Sequence, residues 1–110
     1  MSNLNALLVQ AQLGWKEPAA NRNHIASLLD SAPAAFDLAV LPETFTTGFL
    51  GDDDHDAEGM DGPTVTWMLE QCEKLCSALV GSVVITENGR RYNRMIFAAA
   101  EGVLGYYDKR

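Results

Sequence analysis

Among the residues of this chain that could do chemistry, Glu43 has the most telling neighbours. It follows Leu38, Ala39, Val40 and Leu41, an unbroken apolar run that suits a strand buried on both faces. Pro42 ends that run, because its ring removes a ladder donor and holds Leu41 extended. Glu43 therefore falls just past a strand's carboxyl end. That edge is where layered folds with buried sheets bind ligands, and a carboxylate delivered there can take or give a proton. The same local sequence also fits a loop acid facing water.

The other reactive residue types point away from chemistry. Cys72 and Cys76 are spaced for one helix face, not for a disulfide framework or a CxxC metal site. They fall in the stripe Val65, Met68, Leu69, Cys72, Leu75, Cys76 and Leu79, where a thiol is held neutral and behaves as a small hydrophobe. His24 has no acid, Cys or Ser four residues away and reads as a helix-flank residue. Residues 51–62 hold six of the fifteen acids and invite a calcium-loop reading. That reading fails: a loop begun at Asp52 puts Ala57 where Gly is needed and Pro63 where a bidentate Glu belongs, and one begun at Asp54 ends on Val65. A solvated acidic loop near the mouth of a site fits better.

The elements that must position Glu43 can be read in order. Ala6-Leu7-Leu8-Val9 is a first buried strand, Gly14-Trp15-Lys16-Glu17 turns the chain, and Pro18 starts a helix running to about Asp30. Its inward stripe is Asn21, Ile25, Leu28 and Leu29. The strand before Glu43 comes next, completing the strand–helix–strand unit of a parallel sheet covered by helices. A second helix is predicted from Pro63 to about Leu79, followed by a strand over residues 80–86. Glu87-Asn88-Gly89-Arg90 is a hairpin turn that needs positive φ at both centres. A return strand over residues 92–100 is apolar on both faces at Met95-Ile96-Phe97-Ala98-Ala99-Ala100, and after Glu101-Gly102 a last strand occupies residues 103–110. A sequence that stops within a strand pattern, with no closing helix, looks cut from something longer.

Composition narrows the partners. The chain has 110 residues, 47% of them hydrophobic, which is one domain at most with enough apolar material for a core. A net charge of −7 argues against nucleic acid or an anionic membrane surface as a partner. No apolar run reaches membrane-spanning length and the first residues lack a secretory pattern, so a cytoplasmic setting is expected. A nucleotide-binding domain is disfavoured because the turn after the first strand has one Gly and no phosphate cradle. A module that only packs or dimerises stays open.

Taken together, Leu41-Pro42-Glu43-x-Phe45-x-x-Gly48-Phe49, Asp61-Gly62-Pro63 before a helix, Gly81-Ser82, Tyr92-Asn93-Arg94 and Tyr106-Tyr107-Asp108-Lys109-Arg110 resemble, in the same order, the nitrilase superfamily of carbon–nitrogen hydrolases. The runs 43–49 and 107–110 look most like its omega-amidase branch, which hydrolyses the terminal amide of 2-oxo acid amides. The resemblance covers the whole chain but less than half of a family subunit. It implies an α/β fold, the amino-terminal part of an α-β-β-α sandwich whose two sheets pack face to face, with intact subunits paired as a homodimer.

It also implies a site built from a nucleophilic Cys, a general-base Glu, a Lys and a further Glu. Glu43 matches the base and Lys109 the Lys; without the resemblance, Lys109-Arg110 would read as an ordinary charged chain end. Nothing in residues 1–110 matches the nucleophile or the second Glu, so this piece by itself is expected to be inactive. Phe45 and Phe49 are candidates to wall a substrate pocket, and equally candidates for the core. Asn93 is expected to make a structural hydrogen bond. The implied partner is a small-molecule amide, with no metal and no organic cofactor; other amide, carbamoyl and nitrile hydrolases of the superfamily share the same Glu and Lys.

Overall fold

A β-α-β unit followed by a helix and three hairpin-connected strands builds the molecule, and the computed structural model describes residues 3–48 and 57–109 of it. In chain order the elements are β1 (Ala6–Leu8), α1 (Pro18–Asp30), β2 (Leu38–Val40), α2 (Pro63–Leu75), β3 (Ala78–Glu87), β4 (Arg90–Ala99) and β5 (Gly102–Lys109). They form one five-stranded sheet in the order β1-β2-β3-β4-β5. β1, β2 and β3 run parallel and β4 and β5 antiparallel to their neighbours, as the β-α-β reading and the hairpin signals require. Asn88 (φ +53°) and Gly89 (φ +76°) supply the two positive φ values that turn β3 into β4.

Both helices lie on one face of the sheet. Asn21, Ile25 and Leu29 of α1 are buried, with Leu28 half-buried and His24 exposed, and α2 contributes Val65, Met68 and Cys72. Against them stand Ala39, Leu79, Val83, Ile85, Ile96 and Ala98, one strand residue in two, as the pleat demands. α2 ends sooner than its periodicity suggests. Cys76 adopts φ +53°, the left-handed conformation that closes a helix, and residues 78–79 join β3 instead of a fifth turn. Cys76 therefore leaves the apolar stripe and is exposed, while Cys72 is buried and desolvation pushes its thiol pKa up.

The opposite sheet face carries no helix among the described residues. Met95, Phe97 and Tyr107 project from it and are exposed, as is Leu8 of β1, with 73% of its surface in water. The expectation that residues 6–9 form a buried strand is corrected here by Leu8, and residues 95–100, though apolar on both faces, leave Met95 and Phe97 exposed. An apolar run records that both faces of a strand are apolar; it does not supply the layer that covers the second one. No helix among the described residues is long and apolar enough to cross a membrane.

Candidate active site

Glu43 is delivered by a tight turn at the carboxyl end of β2. Leu41 donates its N–H to Val80 O at 2.8 Å, continuing the β2–β3 ladder one residue past the strand. Pro42 then breaks the ladder, and Thr44 takes φ +42°, which a β-branched side chain rarely adopts. That conformation is held from several sides. Thr44 N–H donates to Ser82 Oγ at 2.7 Å, and Thr47 and Gly48 N–H return to Thr44 O at 3.2 and 2.9 Å. Asn21 of α1 donates from Nδ2 to Thr46 O at 2.7 Å, and Lys16 N–H donates to Thr47 O at 2.8 Å. Residues 44–47 are all buried, so the turn is a rigid base from which Glu43 alone projects. Local strain fixed by surrounding bonds in this way is a recurrent mark of functional positions.

Glu43 meets two donors from the far hairpin. Lys109 Nζ lies 2.6 Å from Glu43 Oε1 and Asn93 Nδ2 lies 3.0 Å from the same oxygen. Asn93 and Lys109 are direct cross-strand partners on β4 and β5, so a single rung of the sheet supplies both donors. The Asn93 amide orientation follows from the chemistry, because the reverse would set a carbonyl against a carboxylate. Its Oδ1 is buried and has no hydrogen-bond partner among the described residues. Lys109 first, then Asn93, hold the Glu43 carboxyl below its ordinary pKa, against a smaller opposing effect of burial. Glu43 is thus a carboxylate with Oε1 tied twice and Oε2 without a bond among the described residues. Lys109 keeps two of its three N–H donors for another acceptor.

Around this pair the sheet leaves a shallow depression of about 150 Å³, walled by Val40, Val80, Ser82 and Met95 as well as the two charged groups. It opens on the helix-free face. The pair is not desolvated in this chain: the Glu43 side chain is 56% exposed and that of Lys109 41%. As an isolated surface ion pair it would contribute at most about 1 kcal/mol to stability, so its geometry is of more interest than its energy.

The residues singled out from sequence separate as follows. Glu43 and Lys109 come together. Phe45 lies in the core: it is fully buried on the helix side, its ring centroid 5.6 Å from that of Trp67, and it does not wall the depression. Its side chain points away from Glu43's because the Thr44 turn intervenes. Phe49 lies outside the described residues, as do residues 51–56 of the acidic segment and Arg110. Asn93 makes the hydrogen bond expected of it, but its acceptor is Glu43, which local sequence could not reveal. The missed signal was in the pairing: a hairpin at Asn88-Gly89 fixes which β3 residue opposes Asn93, yet says nothing about which β5 residue does. Neither thiol approaches the pair. Cys72 is in the core under α2, and Cys76 precedes β3, at the opposite end of the parallel strands from Glu43.

Comparison with known proteins gives a consistent set of likenesses. The carbon-nitrogen hydrolase family model matches residues 6–110. The whole chain is 30% identical to the omega-amidase YafV of Escherichia coli K12 and 32% identical to that of Yersinia enterocolitica. It spans 42% of the length of each of these relatives. Among solved structures it is similar, with a TM-score of 0.91 and 43% identity, to XC1258 of Xanthomonas campestris, described as a CN-hydrolase superfamily protein, covering 100% of this chain and 42% of that one.

Proposed function

The chain belongs to the carbon–nitrogen hydrolase family, and from that premise we propose that residues 1–110 are the amino-terminal portion of a single amide-hydrolase domain in which Glu43 is the general base and Lys109 stabilises the oxyanion. The observation that supports this most is the convergence on one carboxylate oxygen of Lys109 Nζ at 2.6 Å and Asn93 Nδ2 at 3.0 Å. In line with the omega-amidase relatives, the substrate is the terminal amide of a 2-oxo acid amide.

An amide resists attack, so its hydrolysis is divided into two acyl transfers through a thiol. The thiol comes from a Cys outside residues 1–110, since Cys72 is in the core and Cys76 is remote from Glu43. Glu43 Oε2 takes the thiol proton as sulfur bonds to the amide carbon, and the carbonyl oxygen becomes an oxyanion. Lys109 Nζ, anchored through one N–H to Glu43, donates another to that oxygen. Collapse breaks the C–N bond, and Glu43 returns its proton to the departing ammonia. Water, deprotonated by the same carboxylate, then attacks the thioester carbon and releases the 2-oxo dicarboxylic acid and the thiol. The helix-free face, with Met95, Phe97 and Tyr107 exposed, supports a second sheet packing there. Such a layer would bury the pair and raise the strength of each of these interactions.

The test is ammonia release from a 2-oxo acid amide by the full-length protein. Glu43→Gln and Lys109→Ala should each lower kcat by about 100-fold or more while leaving thermal unfolding unchanged. Near-normal rates in either variant would remove that residue from the mechanism. The 1–110 chain alone should give no turnover, and turnover by it would contradict the assignment of the nucleophile to later residues.

A further inference from the structure

Lys109 reaches Glu43 only because, where the two strands pair, Gly102–Lys109 of β5 carries one residue more than the stretch of β4 from Asn93 to Ala99. The pairing runs Ala99↔Gly102 and Ala98↔Val103, then skips Leu104 to continue Phe97↔Gly105, Ile96↔Tyr106, Met95↔Tyr107, Arg94↔Asp108 and Asn93↔Lys109. A one-residue slip moves every side chain beyond it to the other face. In the unbulged register Asn93 would face Asp108, and Lys109 would stand opposite Tyr92 on the helix side. The base would then have a second carboxylate beside it in place of an amine. The turn lies at Ala100-Glu101, one residue earlier than the sequence suggests, since Gly102 already pairs with Ala99; it permits both registers, so something further along the ladder must select the bulged one.

The rung next to the site does so, on the opposite face. Arg94 is 2% exposed and is, among the described residues, the largest of the fully buried side chains. Its Nε donates to Asp108 Oδ1 at 2.6 Å and its Nη2 to Asp108 Oδ2 at 3.0 Å, the two-pronged geometry that fixes both partners in orientation. Nη1 and Nη2 also reach Glu87 at 3.2 and 3.3 Å. The guanidinium carbon lies 4.2 Å from the ring centroid of Tyr106 and 5.1 Å from that of Tyr92. Arg94 holds the Asp108 carboxyl below its ordinary pKa, and Asp108 and then Glu87 keep Arg94 firmly charged. In the slipped register Arg94 would oppose Tyr107 and keep only the longer bonds to Glu87, losing the two-pronged Asp108 pair, a costly loss for a buried guanidinium.

We propose that Arg94 is a positioning residue for the amidase reaction: by clamping Asp108 it selects the Leu104 bulge, and so turns the adjacent Lys109 onto the face of Glu43. This rests on the reading of Glu43 and Lys109 as the reacting pair. Arg94 touches neither substrate nor base. It acts through one peptide bond, from Asp108 on the helix side to Lys109 on the site side.

The test uses the full-length protein with Arg94→Met and, because that variant leaves two carboxylates unpaired and could fold poorly, the near-isosteric Asp108→Asn. Displacing a reacting group by about 1 Å can cost on the order of 100-fold, so kcat should fall about 10- to 100-fold in Arg94→Met and less in Asp108→Asn, with KM within about twofold. The pH profile adds a readout that mere loss of stability would not move. Glu43 is faced by Lys109 from β5, by uncharged Asn93 from β4 and, through the Thr44 turn, by uncharged Ser82 from β3, with Arg91 two places along β4 on the same side. Loosening Lys109 should therefore move the acid limb of kcat/KM upward. Arg94→Lys, which keeps the charge without the fork, should restore only part of the loss. Folded variants with wild-type kcat, a fall in kcat with an unmoved acid limb, or a crystal structure of Asp108→Asn with Lys109 still on Glu43 would each overturn the proposal. A wild-type protein that hydrolyses no amide would overturn instead the reading on which it rests.

Discussion

Gly81 couples the packing of the core to the position of Glu43, the proposed base, and Gly81→Ala should damage both. An added Cβ would lie 2.9 Å from Phe45 Cε1, 3.0 Å from Phe45 Cδ1 and 3.1 Å from Leu41 Cβ. None of these atoms can move aside cheaply. Phe45 is fully buried against Trp67, and Leu41 Cβ is fixed to a backbone whose N–H is bonded to Val80 O at 2.8 Å. Overpacking of this kind costs about 1–3 kcal/mol, from which the backbone advantage of Ala over Gly in a strand returns about 0.5–1 kcal/mol. A net loss of about 1 kcal/mol, and up to about 2.5, is expected, read as a lower urea midpoint at unchanged slope in the full-length protein. Leu41 and Phe45 flank Glu43 at two residues on either side, so the strain relaxes by shifting the turn and kcat should fall as well. Phe45→Leu removes the nearest clashing atom, and in that background Gly81→Ala should cost at least about 0.5 kcal/mol less. A variant as stable as wild type, or additive losses in the double mutant, would refute the close-packing account.

The remaining expectations follow from the same geometry. Because Lys109 and then Asn93 hold Glu43 below its ordinary pKa, the acid limb of kcat/KM should fall below the usual carboxylate range, and Lys109→Met should shift it upward; an unshifted limb would dissociate that limb from Glu43. The sign for stability is the same: the ion pair's contribution is complete above the unfolded carboxylate pKa and disappears as pH falls through the lower folded one, a small effect for groups this exposed. Asn21→Ala removes bonds to Gly14 N–H, Gly14 O and Thr46 O and should cost about 2–3 kcal/mol by chemical denaturation, with less than about 1 kcal/mol showing that the Glu43 turn does not depend on α1. Gly89→Ala meets no atom within 4 Å but must hold φ +76°, so about 1–2 kcal/mol is expected from backbone strain alone, and a neutral result would mean the hairpin changes its turn.

Much of the fold was legible because its signals are local. Pro18 and the stripe Asn21, Ile25 and Leu29 gave α1 its start and its inward face, and Asn88-Gly89 gave the β3–β4 turn. The carboxyl limit of α2 was not legible. Leu75, Cys76 and Leu79 continue a helical stripe, but the parallel pairing of Leu38 with Ala78 and Ala39 with Leu79 recruits those residues into the sheet. Tertiary pairing overrode a local period. The apparent burial of β1 misled for a related reason: apolar character is a property of the strand, as it is for residues 95–100, whereas coverage is a property of whatever packs on it.

The site was legible only as far as residue types go. That Glu43 ends a strand could be read from Pro42, and the resemblance paired it with Lys109. Which face Lys109 occupies could not be read, because the alternation in Tyr106-Tyr107-Asp108-Lys109 is compatible with either side of the sheet. A single unpaired residue, Leu104, decides it. Its effect is non-local, since the rung that stabilises the bulged register, Arg94 with Asp108, is four rungs away from the bulge and faces the helices rather than the site. The residues that place the amine are thus separated from it by the thickness of the sheet. Chemical type was written at positions 43 and 109, but the arrangement that lets them act together was written in the parity of a ladder, and parity becomes visible only once both strands are laid side by side.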